Sequence, residues 1–262
     1  MSGEGKFFTT LGADAKTFIP GGAEVDGEIV TDESNYVHEF FNARPLCGAG
    51  AGAGAATGTT GDENICVLNN SSWIYHVLGT QTILGPTMGT YGMNIVQDEV
   101  EDDGVEYAMG ITSHAKGVFT VGTDEAFYAK MRFYIDDVSG TDDCAFGFRK
   151  MEAFQANVDD YDEMAVLNVI SGDITIETIL NGGGTSTTDS TDDWADAATH
   201  TLEIYVSAAG VVTYKIDGVA PSTIAAFTFD DGEVVIPFFY QLQAADPECA
   251  NLELIEFECG LQ

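Results

Sequence analysis

Two short stretches of the chain crowd carboxylates together, VDDYDE at 158–163 and DEVEDDGVE at 98–106. Hard oxygen ligands packed this closely suit Ca²⁺, which takes about six to eight of them. Asp159, Asp160 and Asp162 are the stronger candidate ligands and Asp102 and Asp103 the weaker; neither stretch has EF-hand spacing, and a solvated acidic loop is the plain alternative. In ELIEFE, at 253–258, Glu256 and Glu258 alternate onto one face of an expected last strand. A terminal strand's solvent face is the ordinary place for glutamates, so this pair is not read as catalytic.

Other chemistry lacks its residues. His38, His76, His114 and His200 are scattered, and none is four residues from another, so no zinc-protease helix is encoded. No Ser or Cys sits in a nucleophile elbow. The glycines of NGGGTST at 181–187 carry no lysine and open no helix, so they do not cradle a phosphate. The reading is of a non-enzymatic protein with no cofactor other than the Ca²⁺ considered above.

The elements that would position these residues are strands. In AFYAKMRFYIDD, Phe127, Met131, Phe133 and Ile135 fall on one face and Lys130, Arg132 and Tyr134 on the other, a half-buried strand. MAVLNVISGDITIETIL at 164–180 predicts two strands joined across Ser171-Gly172-Asp173. EVVIPFFYQL at 233–242 is a further strand, with Pro237 expected at an edge or bulge because it has no N–H to donate. Leu202, Ile204 and Val206 share one face, as do Val212, Tyr214 and Ile216 after a turn at Ala208-Ala209-Gly210, which makes a hairpin with one apolar side. Residues 149–163 predict one short helix or an irregular loop. The tract GAGAGAGAATGTTG at 48–61 can bury almost nothing and predicts a flexible loop or a boundary. The aromatics of NYVHEFFNARPL before it fit an arm, giving 1–60 as arm and hinge and 61–262 as one domain; a long loop within a single domain fits equally well.

Hydrophobic residues form 45% of the 262, enough for a core, and 43 Asp and Glu against 9 Lys and Arg give a net charge of −34. Such a field repels nucleic-acid phosphates and anionic membranes, so neither is an expected partner. The first residues contain no apolar run of signal-peptide length, read as synthesis without a cleaved export signal. Five cysteines without CxxC spacing indicate no zinc site. Buried free thiols are the first expectation, and pairing of Cys47 with Cys66 or of Cys249 with Cys259 in an oxidising medium is the alternative.

Taken in order, GVEYAMGI, KGVFTVGTDEAFYAKMRFYI, DDCAFGFRK, the double strand, WADAATHTLEIYVSAAGVVTYKIDGVAP, DGEVVIPFFYQL and LELIEFECG resemble the concanavalin A-like, or laminin G-like, jelly-roll sandwich. The nearest versions are structural and decoration proteins of tailed-phage particles. The most specific marks are His200 to Ile204 followed by Val212 to Gly218, similar to the family's HTLxI…VTxxIDG hairpin, and the resemblance spans about residues 90–262. It implies an all-β, two-sheet antiparallel jelly roll and a virion role, as an outer capsid decoration or cement protein bound to the major capsid protein or another virion protein and forming a trimer or dimer. It also implies a rival: lectins of this fold bind glycans through loop carboxylates, amides and an aromatic platform, for which Trp73, Tyr161 and Trp194 are the candidates, although aromatics of this kind are more often core or interface residues. A tail or fibre component is a third placement.

Overall fold

The computed structural model describes residues 118–245 and 249–262 without a break, and 72–115 with gaps at 84–85, 97–98 and 112–113. Of residues 1–71 it describes 23–25, 28–30, 36–42, 46–47, 56–59, 61 and 63–67. The described residues contain no α-helix, and no helix is long and apolar enough to cross a membrane.

Two antiparallel sheets carry the fold. A seven-stranded sheet runs Val212–Ile216, Ala198–Val206, Phe127–Ile135, Leu252–Leu261, Met93–Asn94 and Thr87–Met88, with Val37–Phe40 also paired to Leu252–Leu261. A ten-stranded sheet runs Ser186–Asp193, Asp173–Ile179, Met164–Ile170, Thr141–Lys150, Val234–Gln243, Gly104–Ala108, Ser72–Leu78, Glu63–Val67 and Leu46–Cys47, with Phe119–Thr120 also paired to Val234–Gln243. The described parts of residues 1–60 therefore add a strand to each sheet.

Alternation places the core. Phe127, Ala129, Met131, Phe133 and Ile135 are all fully buried, while Arg132 between them is exposed. Their rings meet those of the opposite sheet: Phe133 lies edge-on to Phe239 at 5.1 Å and stacks on Trp194 at 4.5 Å, and Phe257 meets Trp73 edge-on at 4.7 Å. Each buried side chain of this size contributes about 1.5–3 kcal/mol through removal of apolar area from water.

The turns explain the register. Met164–Ile170 and Asp173–Ile179 are joined by Ser171 and Gly172, both at positive φ (50° and 96°), the backbone of a tight two-residue hairpin turn. Asp217-Gly218 repeats this geometry at φ 50° and 81°. The Asp217 carboxylate accepts the Thr201 N–H at 2.8 Å and lies 2.6 Å from His200 Nδ1, while the His200 ring packs edge-on to Trp194 at 4.7 Å. The His-Thr and Asp-Gly pairs thus lock the two ends of the hairpin together, a structural task.

Two expectations need refinement. Of residues 149–163, Arg149 and Lys150 end the strand Thr141–Lys150 and the rest form an irregular segment with one 3₁₀ turn, Val158–Asp160, capped by the Asn157 side chain. Pro237 sits in a central strand, not at an edge or bulge. Its carbonyl accepts Met109 N at 3.2 Å, and an extended residue directs its N and O to the same neighbour. On that side Gly104–Ala108 pairs with 238–242 and Phe119–Thr120 with 234–235, so the missing N–H falls in the gap between two short strands.

The alternation makes adjacent positions unequal. Phe133→Ala should lower unfolding free energy by about 3–5 kcal/mol and Arg132→Ala by less than about 1 kcal/mol in denaturant titrations; equal costs would overturn the assignment of faces.

Candidate functional site

Central strands of the ten-stranded sheet, such as Met164–Ile170 and Val234–Gln243, are apolar on both faces, so the outer face also needs cover. Part of it is covered by the segment 151–161, whose Val158 and Tyr161 pack with Met164, Val166, Phe238 and Tyr240 in a second buried cluster. A charge pair lies beneath. Arg149 Nη2 donates to Glu106 Oε1 at 2.8 Å with both side chains fully buried, and the Tyr161 hydroxyl donates to the other Glu106 oxygen. Arg149 Nη1 donates to the Lys150 carbonyl at 3.0 Å, and the guanidinium lies over the rings of Tyr161 (4.4 Å) and Phe238 (5.6 Å). Burial opposes the charge on Arg149, but the neighbouring Glu106 carboxylate outweighs it and holds the guanidinium protonated. The segment is tied down further where the Tyr240 hydroxyl donates to the Ala156 carbonyl at 3.0 Å and Phe154 stacks on His76 at 4.4 Å.

The uncovered part of the face is a cleft of about 810 Å³. Ile170 and Leu242 give it apolar surface over the buried Leu78 and Tyr240, while Asp143, Asn157, Asp159, Glu177 and Thr187 give it polar edges. Its organising group is Asn168, whose amide nitrogen donates to Asp143 Oδ1 at 2.6 Å and to Glu177 Oε2 at 3.0 Å, while its oxygen accepts the Cys144 N–H at 2.8 Å. This assignment of amide oxygen and nitrogen follows from the partners, since only the nitrogen can face two carboxylates. Burial pushes Asp143 up to about 6, offset in part by the Asn168 hydrogen bond and reinforced by the charge of Glu177. Burial raises Glu177 as well, and it raises Asp142 with help from Asp102.

The sequence candidates are distributed differently. Asp159 accepts the Thr185 hydroxyl at 2.7 Å and lines the cleft; Asp160 is exposed on the 3₁₀ turn; Asp162 takes Lys150 Nζ at 2.7 Å, which also reaches Glu233 at 2.8 Å. Asp102 lines the cleft, whereas Asp103 is buried and accepts Thr80 N at 2.7 Å. Among the described residues no three His, Cys, Asp or Glu side chains are gathered as a metal-holding group. Trp73, Tyr161 and Trp194 are 1%, 0% and 2% exposed, core residues and not a platform, because each fills space between or against the sheets. Glu256 pairs with His38 at 2.8 Å, and Glu258 accepts the Tyr128 hydroxyl and lies 3.7 Å from Lys130, so both belong to the outer face of the other sheet.

Asp143, Asn168 and Glu177 were not among the sequence candidates. One signal was present. Asn168 interrupts the apolar run MAVLNVI and Glu177 the run DITIETI, and the tight turn at 171–172 folds these strands side by side on one face.

No protein-family model matches the chain, and no curated protein matches it. Among solved structures, the potassium-bound carbohydrate recognition domain of Emp46p superposes with a TM-score of 0.50 at 8% identity, covering 72% of this chain and 88% of that one. The corresponding Emp47p domain gives 0.49 at 13% identity over 74% and 90%, and the lectin UEA-II complexed with galactose gives 0.46 at 11% over 79% and 98%. An alginate lyase from Pseudomonas aeruginosa gives 0.41 at 12% over 72% and 82%. At these identities the likeness concerns the fold alone: the chain is an all-β, concanavalin A-like jelly-roll sandwich, the architecture predicted from its sequence.

Removing one partner of the buried pair leaves the other uncompensated, so Glu106→Ala should cost about 3–5 kcal/mol, and Glu106→Leu with Arg149→Met should recover most of it. Denaturant titration of both variants measures this. Asp143 binds its proton more tightly folded than unfolded, so its contribution is full below about pH 4 and is lost as pH rises through about 6. Asp143→Asn should flatten the stability profile across that window; an unchanged slope would place the carboxyl in an ordinary environment.

Proposed function

We propose that the chain is a non-catalytic carbohydrate-binding protein and that the acidic cleft on the outer face of the ten-stranded sheet receives the sugar. The observation that carries this reading is the Asp143–Asn168–Glu177 array set beside the half-buried apolar side chains Ile170 and Leu242. A pyranose is amphipathic in the same way: its hydroxyls donate to fixed carboxylates, while its C–H face packs on apolar side chains. Because Asn168 holds both carboxylates in place, little ordering remains to be done on binding. The carbohydrate recognition domain of Emp46p shares the fold, which supports the reading by analogy; the chemistry of the cleft supports it directly.

A second reading rests on the hairpin resemblance and the −34 charge, which would keep densely displayed copies apart. In it the protein is an outer decoration component of a phage virion, a dimer or trimer, held on the major capsid protein by burial of exposed apolar side chains such as Val211, Val219 and Ile224 at one sandwich edge. Calcium at Asp159, Asp160 and Asp162 is a subsidiary proposal. A melting temperature that falls with EDTA and returns with Ca²⁺ supports it, and an unchanged curve overturns it.

A glycan array read with the purified chain, followed by titration calorimetry on the best ligand, tests the main reading. Saturable binding that weakens at least ~10-fold in Asp143→Ala and Glu177→Ala, about 1.4 kcal/mol or more, is the expected result. Silence across the array together with tight binding to empty capsid shells would replace it with the second reading.

A further inference from the structure

The ten-stranded sheet ends in the two-residue strand Leu46–Cys47, paired antiparallel to Glu63–Val67 so that Cys47 stands directly opposite Cys66. Directly opposed residues of an antiparallel pair have Cα atoms about 4.5 or 5.5 Å apart, depending on which kind of pair they form. Both separations lie within the ~4.4–6.8 Å that a disulfide spans. The register continues across the sheet: Cys66 is in turn opposite Trp73, in the strand that follows.

The remaining cysteines are unlike these two in position. Cys144, Cys249 and Cys259 are free thiols buried in the core. Burial raises the pKa of all three, Cys144 with a contribution from Cys249 and Cys249 with one from Asp136. The thiolate is the reactive form, so the core cysteines react slowly, whereas the 47/66 pair lies at the margin of the sheet.

We propose that Cys47 and Cys66 are an oxidisable pair that closes into a disulfide, stapling the outermost strand to its neighbour. With a small disulfide such as oxidised glutathione as the oxidant, one cysteine thiolate attacks a glutathione sulfur and releases one glutathione thiol. The second cysteine thiolate then attacks the mixed disulfide and releases the other. The two protein thiols together lose two protons and two electrons, and the glutathione disulfide leaves as two thiols. The loop closed in this way runs from 48 to 65 and contains the Gly/Ala tract, whose unfolded conformations are numerous and are curtailed by the link. A two-residue strand has few ladder hydrogen bonds of its own, so this is where a covalent tie has most to hold. The staple forms where the surroundings are oxidising and opens in a reducing cytosol, so it distinguishes the chain's state before and after release from a cell.

The test uses the full chain, reduced and then equilibrated with glutathione buffers of increasing oxidised fraction, alkylated after unfolding and weighed intact. Two of the five thiols should escape alkylation, leaving three alkyl groups on a chain two hydrogens lighter, and non-reducing peptide mapping should recover a 47–66 cross-link. The oxidised wild type should melt several degrees above the reduced form, and this difference should vanish in Cys66→Ser and in Cys47→Ser. Five thiols remaining at every buffer ratio, a stable glutathione adduct on either cysteine, or a cross-link joining Cys249 to Cys259 would each overturn the proposal.

Discussion

The central strands of the ten-stranded sheet are apolar on both sides, and the arrangement of its outer face follows from that constraint. Its inner face closes against the seven-stranded sheet, but its outer face would leave Met164, Val166, Phe238 and Tyr240 in water. The segment 151–161 removes them from water at the cost of burying Arg149, and a guanidinium is tolerable there only because Glu106, the Lys150 carbonyl and two aromatic rings surround it. Where this cover stops, the cleft begins. The same ion pair that holds the segment down therefore sets the cleft's boundary.

The outer face of the seven-stranded sheet solves the opposite problem. Directly opposed residues across four strands read Lys215, Glu203, Lys130 and Glu258, a row of alternating sign, with His38 opposite Glu258 on a fifth. Lys130 and Lys215 also sit over the ring of Tyr205. Such cross-strand pairs contribute roughly 0.2–1 kcal/mol each. With only nine basic side chains against 43 acidic ones, their placement is informative. Two stitch this row, one neutralises the buried glutamate, and Lys150 joins Asp162 to Glu233. Among the described residues no lysine or arginine pairs with Asp143, Asp159 or Glu177. Their partners are instead neutral donors, the Asn168 amide for Asp143 and Glu177 and the Thr185 hydroxyl for Asp159, and burial raises the pKa of Asp143 and Glu177.

The legible part of the sequence was the part governed by local rules. The alternation of residues 127–135 and the turns at Ser171-Gly172 and Ala208-Ala209-Gly210 could be read directly, because a strand's period and a turn's positive φ are properties of a few neighbouring residues. Pro237 shows the limit of such rules. Its missing N–H predicts an edge, yet the vacancy it requires is supplied inside the sheet by two short strands that stop on either side of it. Trp73, Tyr161 and Trp194 show the same limit, since an aromatic in a polar stretch carries no mark of whether tertiary packing will cover it.

The sequence by itself determined the all-β class, the apolar face of each long strand and the anionic character of the surface, because periodicity and composition suffice for these. Only the tertiary structure decided which acid meets which partner. Glu106 looked like one carboxylate in an acidic run, yet it is the counter-ion of Arg149, 43 residues away. Asp143 and Glu177 are brought to a common amide by strand pairing, while Asp159 and Asp162, three residues apart in sequence, are directed to Thr185 and to Lys150. The reason is that electrostatic and hydrogen-bond energies depend on distance and burial through space, and the order of residues along a chain fixes neither until the sheets have closed.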